Sequence, residues 1–333
     1  MVNKQTQQAP EKVSFAVSGA GQGAAELEDL ASLVEVAGVA GDVCVVTIDT
    51  PETFRFQEAL VYLARSANEC MFQVAEGRVR KLLQVDGMPV LFEVGAGDGQ
   101  TLHLRFMNGK PNAAQQKAAV TYVREWLDLD RDLAPFYALA GEDAVLQGLV
   151  ERYDGLRVVR IPELFEALCW AVIGQQINLT FAYTLKRRFV ESFGEAVLGH
   201  WLFPRPERIA ALSADELRVL QFTGNKAEYL LEIARQLSAG KLCKSALLTL
   251  PPDEAEKQLV SIRGIGPWTA QYVRLRCLGD ASAFPIADVG LHNAIKARLG
   301  MERKPSLAEL RELARPWKNW EGYATFYLWR SLT

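Results

Sequence analysis

Residues 259–294 read LVSIRGIGPWTAQYVRLRCLGDASAFPIADVGLHNA and combine two close glycines, several aromatic residues and an isolated carboxylate. Leu259 and Ile262 lie one helical turn apart, the tetrapeptide GIGP follows at 264–267, and an apolar periodic run continues from Trp268. Glycine permits a tight turn, and proline suits the first turn of a new helix. The stretch therefore predicts a helix, a hairpin and a second helix.

The hairpin has the features of a phosphate-binding element. Backbone N–H groups near Gly264 and Gly266, together with the start of the second helix, are expected to point outward without a partner in the protein. Such a nest beside a helix N-terminus binds phosphate. A contact of this kind needs no base identity, so it suits the backbone of DNA.

The tetrapeptide PIAD ends in Asp288, directly before another helical pattern. Aspartate is a preferred N-cap residue, so one interpretation of Asp288 is purely structural. Twenty-one residues separate Gly266 from Asp288, which is enough for one helix and a returning loop. The carboxylate can thus return to the hairpin side, and both interpretations stay open from the spacing alone.

The motifs LVSIRGIGPWTAQYV and FPIADVGL together resemble those of the helix-hairpin-helix DNA glycosylases, which have a Gly/Pro-rich loop and a catalytic aspartate. The resemblance is closest to the 3-methyladenine DNA glycosylase II branch, which acts on alkylated purines, and it is strongest over residues 160 to 333. It implies that Asp288 is the catalytic aspartate and that damaged double-stranded DNA is the partner. The lysine of the lyase-active branch would stand at Trp268, which implies a monofunctional enzyme.

Three aromatic residues are candidates for the walls of a base pocket: Trp268, Tyr272 and Trp329. Alkylation at a ring nitrogen makes a purine cationic, and an electron-rich aromatic face attracts a cation. The charged base is already a good leaving group, so the reaction needs stabilisation of an oxocarbenium-like sugar more than a strong acid. A carboxylate at Asp288 can supply that stabilisation, or it can activate the attacking water.

Further DNA contacts follow from the resemblance. A polar corner at Gln175 and Gln176 joins two apolar helices, and Gln176 corresponds to the residue that fills the space of the extruded base. The alternative is an ordinary helix end with exposed glutamines. Lys226 either contacts a phosphate or is simply solvated. Some relatives hold a monovalent cation on hairpin carbonyls, which would here belong to Val260, Ile262 and Ile265.

Composition limits the class of protein. The chain has 333 residues and a net charge of -3, which by itself argues against a general nucleic-acid binder. From Glu151 onward, however, 25 Lys and Arg face 20 Asp and Glu. Five scattered cysteines indicate neither a disulfide framework nor a metal or iron-sulfur site, and no cofactor is expected. Without an apolar run of membrane length or a signal-peptide core, a cytoplasmic protein is expected. A monomer is expected because one active site per chain reads duplex DNA without symmetry.

The fold expected is α+β, with an N-terminal antiparallel sheet followed by a mainly α region. The boundaries expected are a poorly defined segment at 1–40 with one short helix near 27–36, an antiparallel α+β domain at 41–111, and an all-α glycosylase region at 112–333. In the middle domain, Phe54, Phe56 or Tyr62 can reach toward a pocket, although the favoured interpretation places all three in the hydrophobic core.

Two other functions remain open from the sequence. One is a glycosylase for oxidised or other neutral lesions, which the tryptophan at the lysine position disfavours. The other is a non-catalytic DNA-binding scaffold, because helix-hairpin-helix elements alone clamp phosphates. The spacing of Asp288 and the aromatic residues argue against that alternative.

Overall fold

The structure is a computed structural model that describes residues 34–37 and 44–332. Its N-terminal part is an antiparallel sheet whose six strands have the order β1-β2-β6-β5-β4-β3. The strands are β1 (Val34–Ala37), β2 (Val45–Asp49), β3 (Phe72–Ala75), β4 (Arg78–Val85), β5 (Met88–Ala96) and β6 (Thr101–Phe106). Along β6, buried and partly exposed residues alternate, as expected for a sheet with one covered face.

A glycine-containing turn joins two neighbouring strands of this sheet. Strands β4 and β5 are joined by Asp86 and Gly87, which have φ angles of 50° and 78°. Positive φ at both central residues is the signature of the two-residue turn that matches the twist of a hairpin, and glycine adopts it without strain. The α+β class expected from the sequence is therefore confirmed.

Helices follow the sheet and also cover it. They are α1 (Phe56–Leu63), α2 (Ala113–Trp126), α3 (Ala134–Glu142), α4 (Gln147–Arg152), α5 (Leu164–Ile173), α6 (Leu179–Phe193), α7 (Pro206–Ala210), α8 (Ala214–Arg218), α9 (Gly224–Ser238), α10 (Lys244–Thr249), α11 (Pro252–Val260), α12 (Pro267–Val273), α13 (Val289–Arg298), α14 (Leu307–Leu313) and α15 (Glu321–Arg330). A π-helical turn, Arg274–Leu278, continues α12.

Three local expectations differ from the structure. The segment 1–40 lies outside the described residues except for 34–37, and that piece is strand β1 rather than the end of the helix expected near 27–36. Helices α3 and α10 were not predicted. The region 112–333 is not wholly helical, because β7 (Glu195–Val197) and β8 (His200–Leu202) form a hairpin. Strands of three residues are too short to produce a period-two pattern.

Two hydrophobic cores divide the described chain. The first joins the sheet and helices α1 to α4 with the C-terminal helices α13 to α15. The second consists of helices α5 to α12. The expected boundary at residue 111 falls between β6 and α2, but it does not separate these cores. The division of the sequence into domains at residue 111 stays a proposal. Within the described residues, no helix is long and apolar enough to cross a membrane.

Candidate active site

The predicted hairpin lies between α11 and α12. The amide of Ile265 donates to the carbonyl of Ile262 at 3.0 Å and closes a tight turn. Gly264 has a φ of 94°, and a Cβ atom at this position would overlap the ring of Tyr229. Glycine is therefore required here both by conformation and by packing. Gly266 differs, because a Cβ at this position would meet nothing within 4 Å.

Asp288 is the N-cap of α13 and accepts a hydrogen bond from the amide of Leu291 at 2.7 Å. The expected N-cap role of this residue is thus confirmed. The same carboxylate accepts two further hydrogen bonds, from Trp268 Nε1 to Oδ2 at 2.9 Å and from Trp329 Nε1 to Oδ1 at 2.8 Å. Three N–H donors from three helices therefore orient one half-buried carboxylate.

The three predicted pocket residues are brought together. The rings of Trp268 and Tyr272 are stacked, with centroids 5.6 Å apart and planes 27° apart. Trp329, on α15, lies 5.9 Å from Tyr272. Trp268 and Trp329 remain partly exposed, whereas Tyr272 is buried. The result is an aromatic cluster around Asp288 at the junction of the two hydrophobic cores.

The hydroxyl of Tyr272 points away from Asp288 into the protein. It accepts hydrogen bonds from Trp170 Nε1 at 2.8 Å and from Arg276 Nη1 at 3.0 Å. Arg276 also donates to the hydroxyl of Tyr62 at 2.7 Å. Burial raises the pKa of Tyr272, and the charge of Arg276 opposes that shift. The phenol therefore stays neutral near pH 7 and acts as a fixed wall.

Of Phe54, Phe56 and Tyr62, only Tyr62 is linked to this cluster by hydrogen bonds, and the link runs through Arg276. Phe54, Phe56 and Tyr62 are all buried in the first core, as the core interpretation expected. Only Tyr62 among the three has a polar group, and that group contacts Arg276. Because 214 positions separate the two residues, no local pattern could have predicted the contact.

Sequence reasoning also missed two residues close to Asp288. Gly290 leaves room for the carboxylate, since a Cβ there would lie 2.9 Å from Asp288 Oδ1 and 3.3 Å from Trp329 Cδ1. The ring of His292 lies 2.8 Å from the carbonyl oxygen of Ile286 and joins the Asp288 loop to its surroundings. A glycine two residues after the aspartate was a visible signal for the first of these.

The polar corner between α5 and α6 contacts the hairpin. Gln175 Nε2 donates to the carbonyl of Gly264 and to Thr269 Oγ1, both at 3.0 Å. Gln175 is thus half-buried and holds the hairpin to the corner. Gln176 is exposed at the tip, with a φ of 56°. The expectation of two exposed glutamines is therefore wrong for Gln175 and right for Gln176.

Lys226 is neither solvated nor free to meet a phosphate. Its side chain is buried, and Nζ donates to the carbonyl of Ile173 at 2.8 Å, at the end of α5. Burial lowers the pKa of its ammonium group. A cation at a helix C-terminus is favourable, so this lysine stabilises the fold. The prediction of a phosphate contact is corrected accordingly.

Of the three hairpin carbonyls expected near a cation, one is already engaged. The carbonyl of Ile262 accepts the amide of Ile265, and the side chains of Ile262 and Ile265 are buried. Val260 ends helix α11 and is partly exposed. A cation at these carbonyls stays a prediction.

Two protein families match two successive parts of the chain. Residues 169–319 match the family described as HhH-GPD superfamily base excision DNA repair protein. Residues 44–168 match the family described as 8-oxoguanine DNA glycosylase, N-terminal domain. The second match covers strands β2 to β6 and the first part of the helical region.

Individual relatives agree with the family matches. A DNA-3-methyladenine glycosylase from Bacillus subtilis is 45% identical over 297 residues, which cover 87% of this chain and 97% of that relative. The solved 3-methyladenine DNA glycosylase from Archaeoglobus fulgidus is 25% identical, with a TM-score of 0.75 over 85% of this chain and 97% of that one. An 8-oxoguanine glycosylase/lyase from Clostridium acetobutylicum has a TM-score of 0.66 at 20% identity, covering 89% of this chain and 97% of that one, and shares the fold.

Proposed function

The chain belongs to the HhH-GPD superfamily of base excision DNA repair proteins and is a DNA glycosylase with methyladenine glycosylase relatives, and we propose that it acts on alkylated bases without lyase activity. The substrates would be bases of the 3-methyladenine and 7-methylguanine type in double-stranded DNA. The reaction would be hydrolysis of the N-glycosidic bond. The observation that carries this proposal is the carboxylate of Asp288 inside the cluster formed by Trp268, Tyr272 and Trp329.

Asp288 would stabilise the sugar as the bond breaks. Loss of the base leaves positive charge on the sugar ring, as in other glycoside hydrolyses. Preorganised negative charge next to that ring lowers the barrier, and the same carboxylate can accept a proton from the attacking water. Hydrogen bonds from two indole groups and the Leu291 amide hold its oxygens in place before the substrate arrives.

Base flipping would use the corner and the hairpin on the same side of the molecule. An enzyme that acts on a base inside a duplex must extrude it, which costs a few kcal/mol of stacking and pairing. Gln176 is exposed at the tip of the corner, where a side chain could fill the vacated space. The open space beside Gly266 would let a phosphate approach the start of α12. Gln175 ties the two elements together.

The absence of lyase activity is proposed from Trp268. A lyase of this superfamily attacks the sugar with a lysine amine, and the resemblance places that lysine at position 268. An indole nitrogen is not a nucleophile, and this one donates its hydrogen to Asp288. Hydrolysis by water is the remaining route, and the abasic product would stay unbroken until treated with alkali.

The test is release of free base from methylated duplex DNA by the wild type and by Asp288→Asn. Asparagine can still accept the Leu291 amide and cap α13, so the variant should fold. We expect base release to fall by at least about a hundredfold, because the charge at the sugar is lost. Strand nicks should appear only after alkali. Tight duplex binding without base release by the wild type would instead indicate the non-catalytic scaffold.

A second candidate substrate class has one specific observation in its favour. Residues 44–168 match the N-terminal domain described for 8-oxoguanine DNA glycosylase, so a glycosylase for oxidised or other neutral lesions remains the alternative. Duplexes containing 8-oxoguanine, assayed beside the methylated ones, distinguish the two.

We further propose that the enzyme works as a cytoplasmic monomer, since one candidate site per chain is sufficient for a duplex.

A further inference from the structure

A buried cation without a carboxylate partner lies beneath the aromatic cluster. The side chain of Arg276 is only 3% exposed. Its three hydrogen bonds go to neutral oxygens: the carbonyl of Val159 at 2.7 Å and the hydroxyls of Tyr62 and Tyr272. Within the described part of the chain, no carboxylate lies within 4.0 Å of its nitrogens. A buried charge is normally compensated, so this exception requires an explanation.

Arg274 provides the contrast inside the same π-helical turn. It is 4% exposed and therefore as deeply buried as Arg276. Its guanidinium contacts Glu256 at 2.5 Å and Asp280 at 2.6 Å, so its charge is compensated by two carboxylates. The two arginines are separated by one residue. Burial alone thus does not distinguish them, and the missing carboxylate is specific to the one that faces the candidate site.

A second arginine adds to the positive charge of this layer. The guanidinium carbon of Arg65 lies 3.8 Å from the ring centroid of Tyr62, and Nε donates to the hydroxyl of Tyr183 at 2.7 Å. Burial raises the pKa of Tyr62, but the charges of Arg276 and Arg65 outweigh this effect and the pKa is lowered. The interior behind Tyr272 therefore has a net positive potential.

That potential extends to a base held by the cluster. The guanidinium carbon of Arg276 is 5.5 Å from the ring centroid of Tyr272, and Tyr272 is stacked on Trp268. A base packed on these rings would lie about 10 Å from the guanidinium. At that distance and an effective dielectric constant of about 20, two unit charges change an equilibrium constant by roughly tenfold.

We propose that Arg276 is a specificity-determining positioning residue, which favours bases that are uncharged in the duplex over bases that carry the positive charge of alkylation. This inference rests on the proposed glycosylase function. When the bond between C1′ and the base nitrogen breaks, both electrons go to the base. Relative to the free enzyme and duplex, an uncharged base thereby becomes negative, which the nearby cation stabilises, whereas an alkylated base becomes neutral and gains no such stabilisation. The repulsion of the alkylated base weakens its binding and is relieved as the bond breaks. Water then captures the sugar cation and releases a proton.

The test compares single-turnover release of two bases from otherwise identical duplexes, one containing 7-methylguanine and the other hypoxanthine, with enzyme in excess of the duplex but well below saturation, so that each rate refers to the free enzyme and duplex. The variants are Arg276→Gln, which keeps a hydrogen-bond donor but removes the charge, and Arg276→Lys, which keeps the charge. We expect Arg276→Gln to raise the rate ratio of 7-methylguanine to hypoxanthine by about tenfold. Arg276→Lys should retain the wild-type ratio. Arg274→Gln, the control for loss of a buried arginine, should slow both reactions by the same factor.

The outcomes separate this inference from the proposed function. Release of neither base by the wild type overturns the proposed function and the inference with it. The inference alone is overturned if the wild type releases 7-methylguanine but Arg276→Gln leaves the rate ratio of 7-methylguanine to hypoxanthine unchanged. It is also overturned if Arg276→Lys shifts that ratio as much as Arg276→Gln does. If Arg276→Gln does not fold, Arg65→Gln at a half-exposed position removes charge from the same layer. Arg65→Gln must then raise the rate ratio of 7-methylguanine to hypoxanthine, and an unchanged ratio in this variant contradicts the inference.

Discussion

Asp288 caps a helix and faces two indole N–H groups with the same carboxylate. A cap residue has fixed backbone geometry, so its side chain starts from a defined position. The two indoles then determine the direction of both oxygens. A group that must stabilise a short-lived sugar cation benefits from such preorganisation, because no reorientation is needed during the reaction. The structural and the proposed catalytic role are therefore compatible.

Gly290→Ala tests whether the position of Asp288 matters apart from its charge. The new methyl group would lie 2.9 Å from Oδ1, and the carboxylate cannot move away without lengthening its bond to Trp329. We expect single-turnover base release to slow by at least about tenfold. Gly224→Ala is the control, since a Cβ there meets nothing within 4 Å. A normal rate in Gly290→Ala would show that the carboxylate tolerates displacement.

At the scale of elements, the hairpin and the corner form one unit. Gln175 donates to the carbonyl of Gly264 and to Thr269, so the end of α5 and the start of α12 are connected by side-chain hydrogen bonds. Lys226 reinforces the same end of α5 from α9. The DNA-facing surface proposed above is consequently built on buried polar contacts rather than on mobile loops.

The two hairpin glycines should respond differently to alanine. Gly264→Ala is expected to destabilise the protein by about 1–3 kcal/mol or more, because alanine is strained at positive φ and its methyl overlaps Tyr229. Gly266→Ala should leave thermal stability nearly unchanged while weakening duplex binding by roughly tenfold, because it fills the space proposed for a phosphate. Melting curves and binding titrations measure the two effects. Equal duplex binding in Gly266→Ala would exclude a close phosphate at this position.

At the scale of the whole molecule, buried charged side chains form ion pairs between the two cores. Lys186 on α6 contacts Glu166 at 2.9 Å and Glu69 at 3.1 Å, with all three side chains less than a tenth exposed. Burial raises the pKa of Glu166, but Lys186 and Lys81 lower it by more, so its net pKa is lowered. The stability contributed by Glu166 is therefore complete above its ordinary pKa of 4.5 and is lost as the pH falls through the lower folded value.

Lys186→Met should destabilise the protein by about 3–5 kcal/mol at pH 7, because two buried carboxylates lose their shared partner. The difference from wild type should shrink toward pH 4, where Glu166 of the variant, without Lys186, is protonated more readily. Urea unfolding at both pH values measures this change. Lys257→Met removes an exposed ion pair with Glu254 and should have no measurable effect. A pH-independent difference for Lys186→Met would contradict the assigned role of Glu166.

Local sequence by itself determined most of the helices, the sheet turns and the hairpin, because periodicity, glycine turns and caps act over a few residues. It also brought Trp268, Tyr272 and Asp288 into one short stretch. Only the tertiary structure decided that Trp329 lies 41 positions beyond Asp288 yet donates to it, and that Tyr62 reaches Arg276. Such contacts depend on how helices pack across the two cores, and the spacing of residues along a chain does not encode that packing.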